Sequence, residues 1–79
     1  MNREQIASKV QTIVVKILNH DRFEMHDNLT ATMVEGWDSL THMAIITEIE
    51  SNFAIQFKLK ELNKLKNMGT LLDLIESKI

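Results

Sequence analysis

Asp38, Ser39 and His42 set an acid, a hydroxyl and an imidazole within a single helical turn. Ser39 and His42, at i, i+3 spacing, fall on the same side of a helix and could touch. A hydrolytic triad needs the acid on the far side of the imidazole, with an oxyanion hole and a pocket around the nucleophile. Asp38, chain neighbour of Ser39, is poorly placed for that role, so no catalytic site is expected. A second set, His20, Asp21, His26 and Asp27, has the right types for zinc or a harder ion. Its spacing matches no defined ligand pattern, and such residues in a polar loop ordinarily face water, so no metal is expected. The third chemistry is attachment. A serine at a helix N-terminus can cap a free backbone N–H, as Asp38 equally could. Alternatively it can carry a phosphate, which would face unpaired N–H groups and the positive end of the helix dipole.

The elements that must position Ser39 follow from periodicity. From Asn2 to Leu18 the apolar residues Ile6, Val10, Ile13, Val14, Ile17 and Leu18 trace one face of a helix. Asn2 and Gln5 form a capping-box pair at its start, and Asn19 is a plausible stop. His20 to Asp38 keeps no period and reads as a long loop, with Phe23 and Leu29 as anchors and Trp37 packing at its end. Ser39 to Phe53 favours helix but carries two apolar arcs. Ile45, Ile46, Ile49 and Phe53 form one; Leu40, Met43 and Ala44, with Thr47 among them, form the other. A bundle this small has little room to bury both, so the second arc is expected to face a partner.

Ala54-Ile55-Gln56-Phe57 alternates and reads as a brief link with two buried ends. Leu59, Leu62 and Leu65 predict a short helix from about Lys58 or Leu59 to Leu65, flanked by Asn67 and Gly69 as breakers. Thr70 then caps a last helix, with Asp73 at capping-box distance. The expected fold is all-α: a four-helix bundle of three longer helices and one short one, with the long loop between the first two.

Composition narrows the function. The chain has 79 residues, enough for one small domain that buries roughly 60% of its unfolded surface, with little room for a deep active site. It contains no cysteine, so it forms no disulfide and any thiol chemistry must be imported. Apolar runs are short and the N-terminus is polar, so a cytosolic protein without membrane insertion is expected. The net charge is −2, and Lys58, Lys60, Lys64 and Lys66 read as a solvated helix surface, not as a nucleic-acid interface.

Gly36-Trp37-Asp38-Ser39-Leu40, followed by an Ile- and Glu-containing helix ending at Phe53, resembles the acyl carrier proteins and the carrier domains of polyketide and nonribosomal peptide synthases. Those proteins carry 4′-phosphopantetheine on the serine of an Asp-Ser-Leu motif. The resemblance runs over essentially the whole chain and implies a single carrier domain, 1–79, free-standing and monomeric. It implies that Ser39 accepts the arm and that Asp38 helps a phosphopantetheinyl transferase and its metal ion reach the site. Leu40 and Met43, with Thr47 and Glu48 further along, would meet the transferase and the acyl-loading and acyl-processing enzymes. The protein would hold acyl groups as thioesters and catalyse nothing itself.

Fatty-acid carriers typically have a strongly acidic second helix. Here Thr41, His42, Ala44, Ser51 and Asn52 dilute it to Glu48 and Glu50, and lysines gather at the third helix. These departures, with Trp37 ahead of Asp38, imply a specialised, polyketide-like pathway. A peptidyl or aminoacyl carrier is the near alternative, and an unmodified helical interaction module is the rival from another class.

Overall fold

The computed structural model describes residues 2–19 and 23–79. Helix α1 (Arg3–Leu18) starts at a reciprocal cap: the Asn2 side chain accepts the Gln5 N–H at 2.9 Å, and the Gln5 side chain accepts the Asn2 N–H at 3.0 Å. It ends at Asn19, which adopts the left-handed conformation that asparagine tolerates better than most residues. Ile6, Val10, Ile13 and Val14 form its buried stripe.

The following loop is pinned by its own apolar residues, as a long loop in a small domain must be. Leu29 is buried and Phe23 packs half-buried on the core, as expected; Val34 is a third, unexpected anchor. Gln11 also donates its side-chain N–H to the Phe23 carbonyl. A short 3₁₀ turn, Ala31–Met33, interrupts the loop where no regular element was expected. His20 and Asp21, half of the ligand set considered from sequence, lie outside the described residues.

Helix α2 (Ser39–Phe53) separates its two arcs as expected. Ile45, Ile46 and Ile49 are buried, Phe53 is half-buried, and Leu40, Met43, Ala44 and Thr47 are exposed. The link that follows differs from expectation in one respect. Ala54 is exposed as the left-handed cap of α2, while Ile55 and Phe57 lean onto the core.

Helix α3 (Leu59–Leu62) is shorter than the leucine spacing predicted. Leu65 lies beyond it but still packs against the core. Helix α4 (Met68–Lys78) begins before the expected Thr70, with Asn67 as its cap: the Asn67 side chain accepts the Thr70 N–H at 3.0 Å, and the Thr70 hydroxyl accepts the Asn67 N–H at 3.1 Å. Gly69 is therefore no breaker but part of the first turn. A Cβ there would lie 2.9 Å from Asp27 Cβ and 3.1 Å from the Asp27 carbonyl oxygen, so the missing side chain admits the loop backbone. Through that approach the Gly69 N–H donates to Asp27 O at 2.9 Å and the Met68 N–H to Leu29 O at 2.7 Å. Donors that the start of a helix leaves unpaired are thus used to fasten the loop.

Asp73, the expected box partner of Thr70, instead pairs with Arg3 at 2.6 Å. Arg3 also reaches Asp27 at 3.3 Å and the Gly69 carbonyl at 3.3 Å, joining the start of α1, the loop and α4. Helix α1 packs on both α2 and α4, which makes the expected all-α bundle of three longer helices and one short one.

Candidate functional site

The head of α2 is assembled almost entirely from local contacts. The Asp38 carboxylate accepts the N–H groups of Leu40 and Thr41, each at 3.0 Å. In return the Thr41 hydroxyl accepts the Asp38 N–H at 2.8 Å and donates to the Gly36 carbonyl at 2.8 Å. The Thr41 N–H, with help from the Thr41 hydroxyl and the Leu40 N–H, holds the Asp38 carboxyl below its ordinary pKa of 3.8. Gly36, at φ 90°, supplies the positive backbone angle that brings its carbonyl round to Thr41.

Of the two residues able to cap α2, Asp38 does so. Ser39, the first residue of the helix, is exposed, and its hydroxyl has no hydrogen-bond partner among the described residues. The Ser39 and His42 side chains line one shallow depression with Ala31, Trp37, Asp38 and Met43, yet they do not hydrogen-bond to each other. His42 instead faces Trp37: the indole Nε1–H donates to His42 Nδ1 at 3.1 Å, and the rings meet edge to edge, 27° from parallel, with centroids 6.2 Å apart. Partial burial lowers the His42 pKa from its ordinary 6.5. This pair was not legible from the sequence, because residues five apart across a loop–helix junction share no helical face. His42 also borders a cavity of about 80 Å³ with Leu29, Trp37, Leu65, Lys66 and Met68.

The structure brings together some of the residues singled out from sequence and separates others. Asp38, Ser39 and Met43 share the depression, while Leu40, Thr47 and Glu48 lie outside its lining. Leu40 is 83% exposed and Met43 51%, so the second arc is a free apolar surface beginning beside Ser39. The Thr47 hydroxyl is tied back to the Met43 carbonyl at 2.9 Å. Glu48 leans toward α1, 4.0 Å from Lys16 Nζ, and also contacts Asn52. Met33, exposed in the 3₁₀ turn, adds apolar surface that no periodic signal could have revealed. Among the described residues there is no group of three His, Cys, Asp or Glu side chains arranged to hold a metal, and no helix is long and apolar enough to cross a membrane.

A cysteine-free helical bundle that leaves a serine unengaged at a helix head, beside free apolar surface and hydrogen-bonded to no acid or imidazole among the described residues, has the make-up of a carrier. No family model matches the chain. Among curated proteins it is similar to an acyl carrier protein of Thermotoga maritima, 28% identical over 99% of this chain and 96% of that one. It is likewise similar to an acyl carrier protein of Thermosynechococcus vestitus, 29% identical over 100% and 98%. Among solved structures, the solution structure of holo acyl carrier protein from Geobacter metallireducens superposes with a TM-score of 0.85 at 34% identity, covering 92% of this chain and 84% of that one. The chain belongs to the acyl carrier protein family. It is a carrier and not a catalyst, its prosthetic group is covalent 4′-phosphopantetheine, and it works with a phosphopantetheinyl transferase and acyl-processing enzymes.

Proposed function

We propose that Ser39 carries the 4′-phosphopantetheine arm and that residues 1–79 act as one monomeric carrier domain for a specialised, polyketide-like pathway. The observation that carries this reading is the division of labour at the head of α2: Asp38 caps the helix and leaves the Ser39 hydroxyl exposed and unengaged. The residues present suit the group. A phosphodiester on Ser39 sits at the positive end of a fifteen-residue helix. Asp38, held ionised by its N–H partners, offers a carboxylate to the transferase's metal ion. Leu40 and Met43 give the transferase and later enzymes an apolar foothold, and Thr47 extends it. When bound, the arm supplies the thiol that this cysteine-free chain lacks, and that thiol holds an acyl group as a thioester.

The pathway assignment is supported by where the charges go. Of the two acids on α2, Glu48 leans toward Lys16, and Glu50 accepts the Phe57 N–H at 2.8 Å. Little negative charge is left for a basic partner surface, while Lys58, Lys60, Lys64 and Lys66 are all exposed around α3. The test is chemical. Incubation with a broad-specificity phosphopantetheinyl transferase, magnesium and coenzyme A adds one phosphopantetheinyl group to the wild type by intact mass, and none to Ser39→Ala. An unmodified wild type beside a modified control carrier would return the chain to the helical interaction modules.

A further inference from the structure

Resting on the assignment of the arm to Ser39, we infer that His42 is a binding contact for the arm's phosphodiester, donating a hydrogen bond from Nε2–H. The tautomer follows from Trp37. Its indole nitrogen is donor only, so His42 Nδ1, 3.1 Å away, must accept, and a neutral ring then carries its proton on Nε2. That proton points at no protein group: Nε2 has no partner among the described residues. No buried side-chain nitrogen or oxygen there lacks one, so Nε2 opens to solvent. Of the two hollows that His42 borders, one holds Ser39 and the other is the small cavity beside Leu65 and Lys66. Ser39 and His42 line the same depression, and at i, i+3 their Cβ atoms are about 5–6 Å apart, within reach of a phosphate oxygen on Ser39.

The other charged groups bordering the ring are Asp38, in the same depression, and Lys66, across the neighbouring cavity. Asp38 meets both of its backbone N–H partners through Oδ1, and no hydrogen bond joins its carboxylate to His42 among the described residues. Trp37 therefore acts as a positioning residue: its hydrogen bond aims the imidazole.

Two substitutions separate the halves of the ring. His42→Asn keeps an acceptor near Nδ1 for Trp37 but removes the Nε2 donor; His42→Gln keeps a donor near Nε2 and gives up the Trp37 bond. The experiment compares apo and transferase-loaded protein by long-range proton–nitrogen NMR of the histidines and by phosphorus NMR of the phosphodiester, with intact mass recording the loading. On loading, His42 Nε2 shifts and its proton exchanges more slowly, while the His26 resonances stay in place. The phosphorus resonance of loaded His42→Gln stays near wild type and that of His42→Asn moves, although His42→Asn better preserves Trp37 fluorescence. Full loading with an unmoved Nε2 and one phosphorus shift in all three proteins would overturn the His42 contact alone. Failure to load the wild type would overturn the Ser39 assignment beneath it.

Discussion

Asp38 and Thr41 cap each other: the Thr41 N–H donates to the Asp38 carboxylate at 3.0 Å, and the Asp38 N–H donates to the Thr41 hydroxyl at 2.8 Å. The same hydroxyl donates to Gly36, so Thr41 also sets the approach of the chain to Ser39. Thr41→Val removes both hydroxyl bonds at nearly constant volume. It is expected to cost about 1 kcal/mol and, in a domain of this size, to lower Tm by about 4–8 °C. Loading of Ser39 slows as well, measured as initial rate by intact mass at a temperature where the variant is still folded.

Gly69 lets the first turn of α4 come up against Asp27 of the loop. Gly69→Ala forces its new methyl against Asp27 and is expected to destabilise by about 1–3 kcal/mol in urea unfolding. Asp27→Gly in the same chain relieves the contact with Asp27 Cβ but not that with the carbonyl oxygen, so rescue is partial. Full rescue would place the clash in the side chain alone.

The exposed arc separates recognition from folding. Leu40→Glu and Met43→Glu replace side chains that are largely in water, so each is expected to change stability by less than about 0.5 kcal/mol. Each nonetheless raises the KM of the transferase for the protein. A large drop in Tm for Met43→Glu would assign that residue to the core.

The Trp37–His42 pair makes the fold acid-sensitive. Burial lowers the folded-state pKa of His42, so the unfolded chain binds the extra proton first. The pair's contribution is fully present above the ordinary pKa of 6.5 and is lost as pH falls through the lower folded value. Protonation also places an N–H on Nδ1, facing the indole N–H. Tm is expected to fall below pH 6.5 together with a change in Trp37 fluorescence, and His42→Asn flattens Tm across that window. The Asp38 cap gives way separately, as pH falls below 3.8.

Much of this molecule was legible in its sequence where structure depends on near neighbours. The cap of α1, the start of α2 at Ser39 and the sorting of Ile45, Ile46 and Ile49 from Leu40 and Met43 all follow from spacings within one or two turns. What escaped depends on residues far apart in the chain. Gly69 reads as a helix breaker until Asp27, on the distant loop, accounts for its missing side chain. Asp73 has the spacing of a cap partner, but Arg3, at the other end of the chain, takes it. At the head of α2 the place of Ser39 as first helical residue was legible and the imidazole's orientation was not, since it depends on a loop whose path has no period.

From Gly36 to His42, every side-chain hydrogen bond found among these residues closes within the same seven positions. The stretch is in this sense a self-contained cassette. The bonds among Gly36, Asp38 and Thr41 use no residue of α3 or α4, whereas the Trp37–His42 pair also borders Leu65, Met68 and Leu71. The same closure makes the cassette portable. Grafted onto the head of another amphipathic helix, these residues bring their own cap and their own turn.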